Sequence, residues 1–136
     1  MPIVVEVKSK EDYAKWVGDQ KQKMAAAADD PNKTWTEAEL MAKGATVYAA
    51  NCAACHQPNG KGMPPAFPAL EGSKVVAGPA QDQIHIVLNG KPGTAMAPFK
   101  HLSDVDIAAV VTFERNSWAN KTGDMVAPAD IKAARK

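Results

Sequence analysis

At the start of the chain, the apolar positions follow first the period of a strand and then that of a helix. Ile3, Val5 and Val7 fall on one face of an extended segment, which predicts a strand over residues 2–8. Ser9 then predicts a helix start, because its hydroxyl can accept hydrogen bonds from free amides. The apolar face of this helix is small, and a single strand cannot complete a core with it. We interpret the segment as the edge of a domain whose other strands are missing.

Residues 20–34 interrupt the pattern of apolar positions. They are rich in lysine, glutamine, alanine and aspartate. The alanines favour a helix in the first half of the segment, and Pro31 is expected to stop it. We predict a partly helical linker here, so that residues 1–34 form one part of the chain and residues 35–136 form a second domain.

Four helices are predicted in the second part, separated by loops rich in glycine and proline. They span residues 36–51, 79–88, 103–116 and 128–135. Thr36 and Glu39 form the sequence pattern of a capping box at the start of the first helix. Gly44, in the middle of that helix, costs about 1 kcal/mol relative to alanine. We expect the close approach of a second helix at Gly44 to offset this cost.

Composition and charge are those of an ordinary globular protein. Of the 136 residues, 46% are hydrophobic and 23% are charged, and the formal net charge is +1. This balance gives no electrostatic argument for binding nucleic acid or an anionic membrane. No apolar run reaches membrane-spanning length, so we expect no membrane insertion by this chain itself. A secretory signal is not recognisable either.

The two cysteines of the chain stand three positions apart, in the segment Cys52-Ala53-Ala54-Cys55-His56. This spacing is the attachment signature of a c-type haem. Each thiol can form a thioether bond to one vinyl group of the porphyrin, and His56 can serve as the proximal iron ligand. The sequence therefore predicts one covalently bound haem c.

Three other interpretations of the cysteine pair stay open. A thioredoxin-like redox pair would need a βαβ setting, which is not visible around residue 52. A closed zinc site would need His85 or His101 as its fourth ligand. A disulfide across a two-residue gap would constrain little of the chain.

The second axial ligand of the haem iron has to come from elsewhere in the chain. Met63 and Met96 both lie in proline-bearing loops downstream of the cysteine pair. A methionine sulfur would close the sixth position and raise the redox potential, as in electron carriers. We expect Met96, because an intervening helix can carry its loop to the opposite face of the haem. Met63, His85 and His101 remain as alternatives.

These residues together resemble a class I cytochrome c. The residues that carry the resemblance are Gly44-x-x-x-Tyr48-x-x-x-Cys52-x-x-Cys55-His56, the glycine- and proline-rich loop, Met96-Ala97-Pro98 and the last amphipathic helix. The resemblance covers about residues 35–118. It implies an all-α fold wrapped round one covalently bound haem, with Gly44 and Tyr48 where the first and last helices cross. It also implies His56 and Met96 as the iron ligands.

The wider chain resembles a narrower group, the caa-type haem–copper oxidases. In these, a cytochrome c domain is fused to the end of cytochrome c oxidase subunit II. The similar stretches are residues 1–7, residues 89–99 and the tail from residue 115 to residue 136. In that group Met1 would correspond to a copper ligand. The cysteines and histidines of a copper site are absent from this part of the chain, so it cannot hold the copper centre itself.

The narrower resemblance implies a one-electron carrier that is not an enzyme by itself. It would pass electrons from an external donor protein to the dinuclear copper domain of the oxidase. Because haem c is attached outside the cytoplasmic membrane, it would be a soluble, periplasmic domain of a membrane-bound parent. Without an export signal, we expect the chain to be a processed product or a fragment of that parent.

Two alternatives belong to other classes of protein. The chain could be an independent small soluble cytochrome c that serves another redox enzyme, with residues 1–34 as an unrelated extension. A peroxidase would require an open iron site, and hence that Met96 does not bind the iron.

Overall fold

The computed structural model describes residues 9–28 and 30–136, and the side chains of these apart from residues 20–28. The strand predicted at residues 2–8 therefore lies outside the described residues. The chain divides into two compact units, Met1–Asp30 and Pro31–Lys136.

The first unit contains helix α1, Lys10–Ala28. As predicted, Ser9 caps it, because the Asp12 amide donates a hydrogen bond to Ser9 Oγ at 3.2 Å. The exposed rings of Tyr13 and Trp16 stack on each other, with centroids 6.1 Å apart. The first half of the predicted linker continues this helix.

The second unit consists of helices and loops. Its helices are α2 (Glu37–Asn51), α3 (Ala53–His56), α4 (Lys74–Ala77), α5 (Ala80–Asn89), α6 (Asp104–Asn116) and α7 (Pro128–Ala134). Over the described residues there is no strand, only an isolated bridge between Met63 and Phe67. The predicted all-α class is confirmed. The four predicted helices are α2, α5, α6 and α7, and the one-turn helices α3 and α4 were not predicted.

Helices α2 and α6 are packed so closely that glycine is required where they cross. Gly44 is buried, and a Cβ atom placed on it would lie 2.6 Å from Phe113 Cβ and nearer still to the Ala109 carbonyl oxygen. A backbone carbonyl cannot move aside without shifting helix α6 itself. The predicted close approach at Gly44 is therefore confirmed.

The main core lies between α2, α5, α6 and α7. Its fully buried aliphatic side chains include Ile84, Leu88, Ile107, Val110, Val111 and Ile131. A smaller cluster at the other end of α2 contains Trp35, Leu40, Val105 and Ala109. Helix α6 contributes to both clusters, so it is the central element of the unit. Among the described residues, no helix combines the length and apolarity needed to cross a membrane.

A buried arginine connects α6 to α4 and to the tail that follows α6. Arg115 is 4% exposed, and its Nη1 donates hydrogen bonds to the carbonyls of Val76 at 2.7 Å and Gly78 at 2.9 Å. Its Nε and Nη2 donate to the two carboxylate oxygens of Asp124, at 2.9 and 2.7 Å. The hydrogen bonds from Arg115 lower the pKa of Asp124. This fork-to-carboxylate geometry fixes the tail against the helices.

The end of α7 is fastened to the loop between α5 and α6. Arg135 donates hydrogen bonds to the carbonyls of Lys100 at 2.8 Å and Leu102 at 2.6 Å. Its Nε also pairs with Asp104 Oδ1 at 2.5 Å, at the start of α6. The loop is thus held by its contact with the last helix as well as by its own turns.

Substitution of Gly44 by alanine is expected to destabilise the haem-loaded protein by about 1–3 kcal/mol, the usual cost of overpacking. The added methyl group would force α2 away from α6, and this cost exceeds the gain of up to about 1 kcal/mol in helix propensity. Gly18 is a matched control, since a Cβ atom there would meet nothing within 4 Å. Urea unfolding should show a lower midpoint for Gly44→Ala and no loss for Gly18→Ala. Equal midpoints for the two variants would contradict the close crossing.

Candidate functional site

A cavity of about 460 Å³ lies between α3, α4, α5, α6 and two loops of the second unit. Much of its lining is apolar and comes from Phe67, Leu70, Val76, Ile86, Val87, Phe99, Leu102 and Val110. The predicted haem-site residues Cys52, Cys55, His56 and Met96 all lie on this lining. Its size falls within the range of small-molecule and cofactor sites.

One helical turn presents the cysteine pair and the histidine to the cavity. Helix α2 ends at Asn51, and the amides of Cys55 and His56 donate hydrogen bonds to the Cys52 carbonyl at 3.2 and 2.9 Å. Because these bonds fix the turn, the two thiols and the imidazole have set positions relative to one another. The two cysteines are partly buried and are not joined to each other by a disulfide bond.

The surroundings of the cysteine pair argue against a thiolate site. Burial is the main cause that raises the pKa of the Cys52 thiol to about 12, with a smaller contribution from the Glu114 charge. A reactive redox cysteine needs a lowered pKa, so the raised value at Cys52 argues against a redox pair. His85 is not on the cavity lining but bonds Asn89 on its own helix, and His101 is exposed. In the described part of the chain, no group of three His, Cys, Asp or Glu side chains could hold a metal ion.

The His56 ring is oriented by a backbone carbonyl. Its Nδ1 donates a hydrogen bond to the Pro68 oxygen at 2.9 Å. A carbonyl oxygen can only accept, so Nδ1 carries a proton, and in the neutral tautomer Nε2 is the nitrogen with the free lone pair. This is the arrangement in which a histidine is held ready to bind a metal through Nε2.

Two aromatic side chains hold the backbone that follows His56. The Tyr48 hydroxyl donates a hydrogen bond to the Gln57 carbonyl at 2.6 Å, and Trp118 Nε1 donates to the Pro58 carbonyl at 3.1 Å. The Tyr48 and Trp118 rings also contact each other, with centroids 5.2 Å apart. Tyr48 also contacts Phe113 of α6, with ring centroids 5.5 Å apart, so it lies at the crossing of α2 and α6 and supports the loop beside His56.

The loop after α5 brings Met96 to the cavity. It begins at Gly90, which has a φ of +72° and makes the turn out of the helix. The Lys91 amide donates to the Met96 carbonyl at 3.2 Å, and the Met96 amide donates to Thr94 Oγ1 at 3.3 Å. Further along, the Phe99 amide donates to the Val87 carbonyl at 2.9 Å and ties the loop back to α5.

Met63 has a different environment from Met96. Its side chain is 50% exposed, and it is not part of the cavity lining. Its backbone pairs with Phe67 across a tight turn. The structure thus brings Met96, and not Met63, to the cavity that His56 faces.

Sequence reasoning gave no role to two polar residues of the cavity, Glu114 and Gln83. Glu114 lies on α6 and is 4% exposed, and Gln83 lies on α5 and is 3% exposed. Gln83 Nε2 donates a hydrogen bond to Glu114 Oε2 at 2.7 Å. The sequence places Glu114 on the same side of α6 as Val110 and Val111. An acidic residue on an apolar helix face is the signal in the sequence that could have identified it as a buried polar residue.

The residues of this cavity fit a covalently attached haem. The lining is largely apolar, two thiols stand on one turn, and a histidine whose Nδ1 is held by a carbonyl lines the same space. A thioether sulfur on a separate loop completes the donor set. Thioether and imidazole donors with an apolar surround are the ligation of an electron-transferring haem.

An all-α unit whose Cys-x-x-Cys-His turn faces an apolar cavity is a c-type cytochrome domain. Residues 38–113 match the family described as cytochrome c oxidase, cbb3-type, subunit III. The chain belongs to this family. It is accordingly a haem c domain that carries single electrons.

Relatives of known assignment include subunits of several redox systems. The chain is 38% identical over 103 residues, 68% of its length, to the cytochrome c subunit of alcohol dehydrogenase (quinone) from Gluconobacter oxydans. It is 37% identical over 93 residues, 58% of its length, to cytochrome c-552 from Thermus thermophilus, of which the match covers 70%. It is 32% identical over 96 residues, 66% of its length, to the cbb3-type cytochrome c oxidase subunit CcoP from Azospirillum brasilense. The match spans 22% of the Gluconobacter subunit and 32% of the Azospirillum subunit.

Proposed function

We propose that Cys52 and Cys55 hold the haem through two thioether bonds, and that His56 and Met96 are its proximal and distal iron ligands. The observation that carries this assignment is the turn over residues 52–56. It presents the two thiols and a histidine oriented by the Pro68 carbonyl to a cavity that Met96 also lines.

When bound, the haem supplies the one-electron couple of its iron. The chain's own residues supply the rest of the function. The apolar lining excludes water, and the Pro68 hydrogen bond keeps His56 Nε2 available as a ligand. Met96, which lines the same cavity, would supply the second ligand and so keep small molecules off the iron. Ligands fixed in both oxidation states keep structural change small during electron transfer.

Replacement of both Cys52 and Cys55 by alanine is expected to leave the haem extractable by acidified organic solvent. Acidified solvent breaks the bonds between the iron and its protein ligands but does not break carbon–sulfur bonds. Only haem that is held by thioether bonds therefore stays on the protein. The measurement is the haem stain of a denaturing gel and the absorbance of the extract. Ala54→Ser, at an exposed position of the same turn, is the control and should keep its haem. Extraction of haem from the wild-type chain would contradict covalent attachment.

For the electron acceptor, we propose the dinuclear copper domain of a haem–copper oxidase, on the periplasmic side of the cytoplasmic membrane. Support comes from the likeness of residues 1–7, 89–99 and 115–136 to the caa-type fusion, and from the match to the cbb3-type oxidase family. In such a protein, residues 20–34 tether the two centres. The end of helix α1 forms the first part of this tether, and the covalent connection raises the effective concentration of the partner, so weak docking is sufficient.

A second candidate is favoured by the similarity to the cytochrome c subunits of alcohol and gluconate dehydrogenases. Here the chain would accept electrons from a dehydrogenase and would not deliver them to copper. Stopped-flow mixing separates the two. The reduced chain should be oxidised by a soluble dinuclear copper domain, with a rate that rises with the concentration of that domain. Reduction of the oxidised chain by a quinone-dependent dehydrogenase, without oxidation by copper, would favour the second candidate.

A further inference from the structure

The haem cavity contains an acidic side chain that is not needed to hold haem. Glu114 is 4% exposed and belongs to the cavity lining. Gln83 Nε2 donates a hydrogen bond to its Oε2 at 2.7 Å. The Gln83 amide is itself oriented, because Arg115 Nη1 donates to its Oε1 at 3.5 Å. The amide hydrogens of Gln83 are thereby directed toward the carboxyl group of Glu114.

The Glu114 carboxyl has no cation as a partner. None of the ion pairs found over the described residues includes it. From the region of α2, the Tyr48 hydroxyl and the Cys52 thiol lie close enough for the Glu114 charge to raise their pKa values, and neither group is a cause of the Glu114 shift. From α5 it meets the neutral amide of Gln83.

Of the other titratable groups, His56 and Lys91 line the same cavity as Glu114, but neither forms an ion pair with it among the described residues. The guanidinium of Arg115, on α6 itself, is engaged by Val76, Gly78 and Asp124. The charged side chains of α4, α5 and α7 lie in exposed residues, namely Lys74, Asp82, His85, Asp130 and Lys132. On the far part of α2, Lys43 pairs with Asp106 at 3.2 Å.

Burial without a cation disfavours the charged form of a carboxyl group. Burial raises the pKa of Glu114 to about 7, and the hydrogen bond from Gln83 lowers it only in part. The carboxyl therefore exchanges its proton near neutral pH, beside the space that the haem fills. A nearby change of one unit charge would shift this exchange, since charges interact more strongly in a poorly hydrated interior.

We propose that Glu114 is a redox-linked proton-binding site, which takes up a proton from solvent when the haem iron is reduced and releases it when the iron is oxidised. This proposal rests on the assignment of the haem to the cavity. One electron from the external donor converts ferric to ferrous iron, and one proton converts the Glu114 carboxylate to the carboxylic acid. The net charge of the site is then unchanged by electron transfer.

The direction follows from the charge of the iron. The ferric state carries one more positive charge than the ferrous state, so it favours the ionised carboxylate and lowers the Glu114 pKa. Reduction removes that charge and raises the pKa. Between the two pKa values the midpoint potential falls as pH rises. The limiting slope is about 59 mV per pH unit, the one-electron equivalent of a tenfold change.

The test combines potentiometry with redox-difference infrared spectroscopy on the haem-loaded protein between pH 5 and pH 9. Wild type should show a falling midpoint potential around neutral pH, and a C=O stretch of a protonated carboxyl that is stronger in the reduced state. Glu114→Gln keeps an acceptor for Gln83 and cannot ionise, so it should lose the slope near pH 7 and the band. Glu37→Gln, at an exposed position of α2, should retain both.

A slope and band that persist in Glu114→Gln would overturn the proposal, since other ionisable groups would then be responsible. Absence of a redox-linked carboxyl band in wild type would overturn it whether or not the variant binds haem. Covalent haem is scored separately on a denaturing gel. If the protein has covalent haem but its midpoint potential does not depend on pH, the role of Glu114 is contradicted and the haem assignment stands. If the protein has no covalent haem, the haem assignment is contradicted.

Discussion

Substitution of Met96 by alanine should lower the midpoint potential of the haem by well over 59 mV, the one-electron equivalent of a tenfold change in equilibrium. A thioether ligand raises the potential, and axial ligation spans roughly 0.8 V among haem proteins. The same substitution leaves the sixth position open, so cyanide should bind the ferric protein rapidly. The weak sulfur-to-iron absorption band of the ferric protein should also disappear.

Met63 provides a matched control for this experiment. It lies in the other glycine- and proline-rich loop, but it is 50% exposed and is not on the cavity lining. Met63→Ala should therefore leave the potential, the absorption band and the slow cyanide reaction as in wild type. If Met96→Ala retained all three properties and Met63→Ala lost them, the distal ligand would be Met63. An open iron site in wild type would favour the peroxidase alternative.

Replacement of Arg115 by methionine is expected to cost about 2–4 kcal/mol of unfolding free energy, because it leaves two backbone carbonyls without a donor. The carbonyls of Val76 and Gly78 lose their donor, and each buried acceptor left unpaired costs about 1–3 kcal/mol. Asp124 is partly exposed, so water can replace its share of the contact. The melting temperature should fall on the order of 10 °C or more.

Lys121→Met is the control for Arg115→Met, because it removes a positive charge from an exposed position in the same tail. It should shift the melting temperature by little, as surface substitutions usually do. Circular dichroism at increasing temperature is a sufficient measurement. A variant Arg115→Met as stable as Lys121→Met would show that the guanidinium does not connect α4 to the tail.

The helices that sequence reasoning predicted have strong local signals. Helix α2 has a capping box, in which the Glu39 amide donates to Thr36 Oγ1 at 3.2 Å and the Thr36 amide donates to Glu39 Oε2 at 2.9 Å. Helix α6 starts at Ser103, whose Oγ accepts from the Asp106 amide at 3.1 Å. Such caps act within one turn, so they can be recognised without knowing the tertiary structure.

The unpredicted elements depend on contacts that are distant in sequence. Helix α4 has four residues, and its C-terminal end is bonded by Arg115, which lies 39 positions after Val76. A single turn has too few residues to show a period. The orientation of His56 by Pro68 and the burial of Glu114 likewise depend on the folded loops and helices.

The candidate site was more accessible to sequence reasoning than its surroundings. The cysteine pair and His56 are contiguous, because one turn of helix must match one edge of a haem. For Met96, periodicity gave no preference over Met63; its place after an intervening helix and the resemblance to class I cytochromes c together favoured it. The role of Gly44 could be predicted because a glycine in mid-helix needs a compensating contact.

The hydrogen bonds from Arg135 to the loop between α5 and α6 have a consequence for biosynthesis. A polypeptide is made from its amino end, so the loop that carries Met96 emerges well before the guanidinium that fastens it, 35 positions after Lys100. Until residue 135 has emerged, the carbonyls of Lys100 and Leu102 lack this donor, so we expect the end of the loop to be fixed only when α7 has folded.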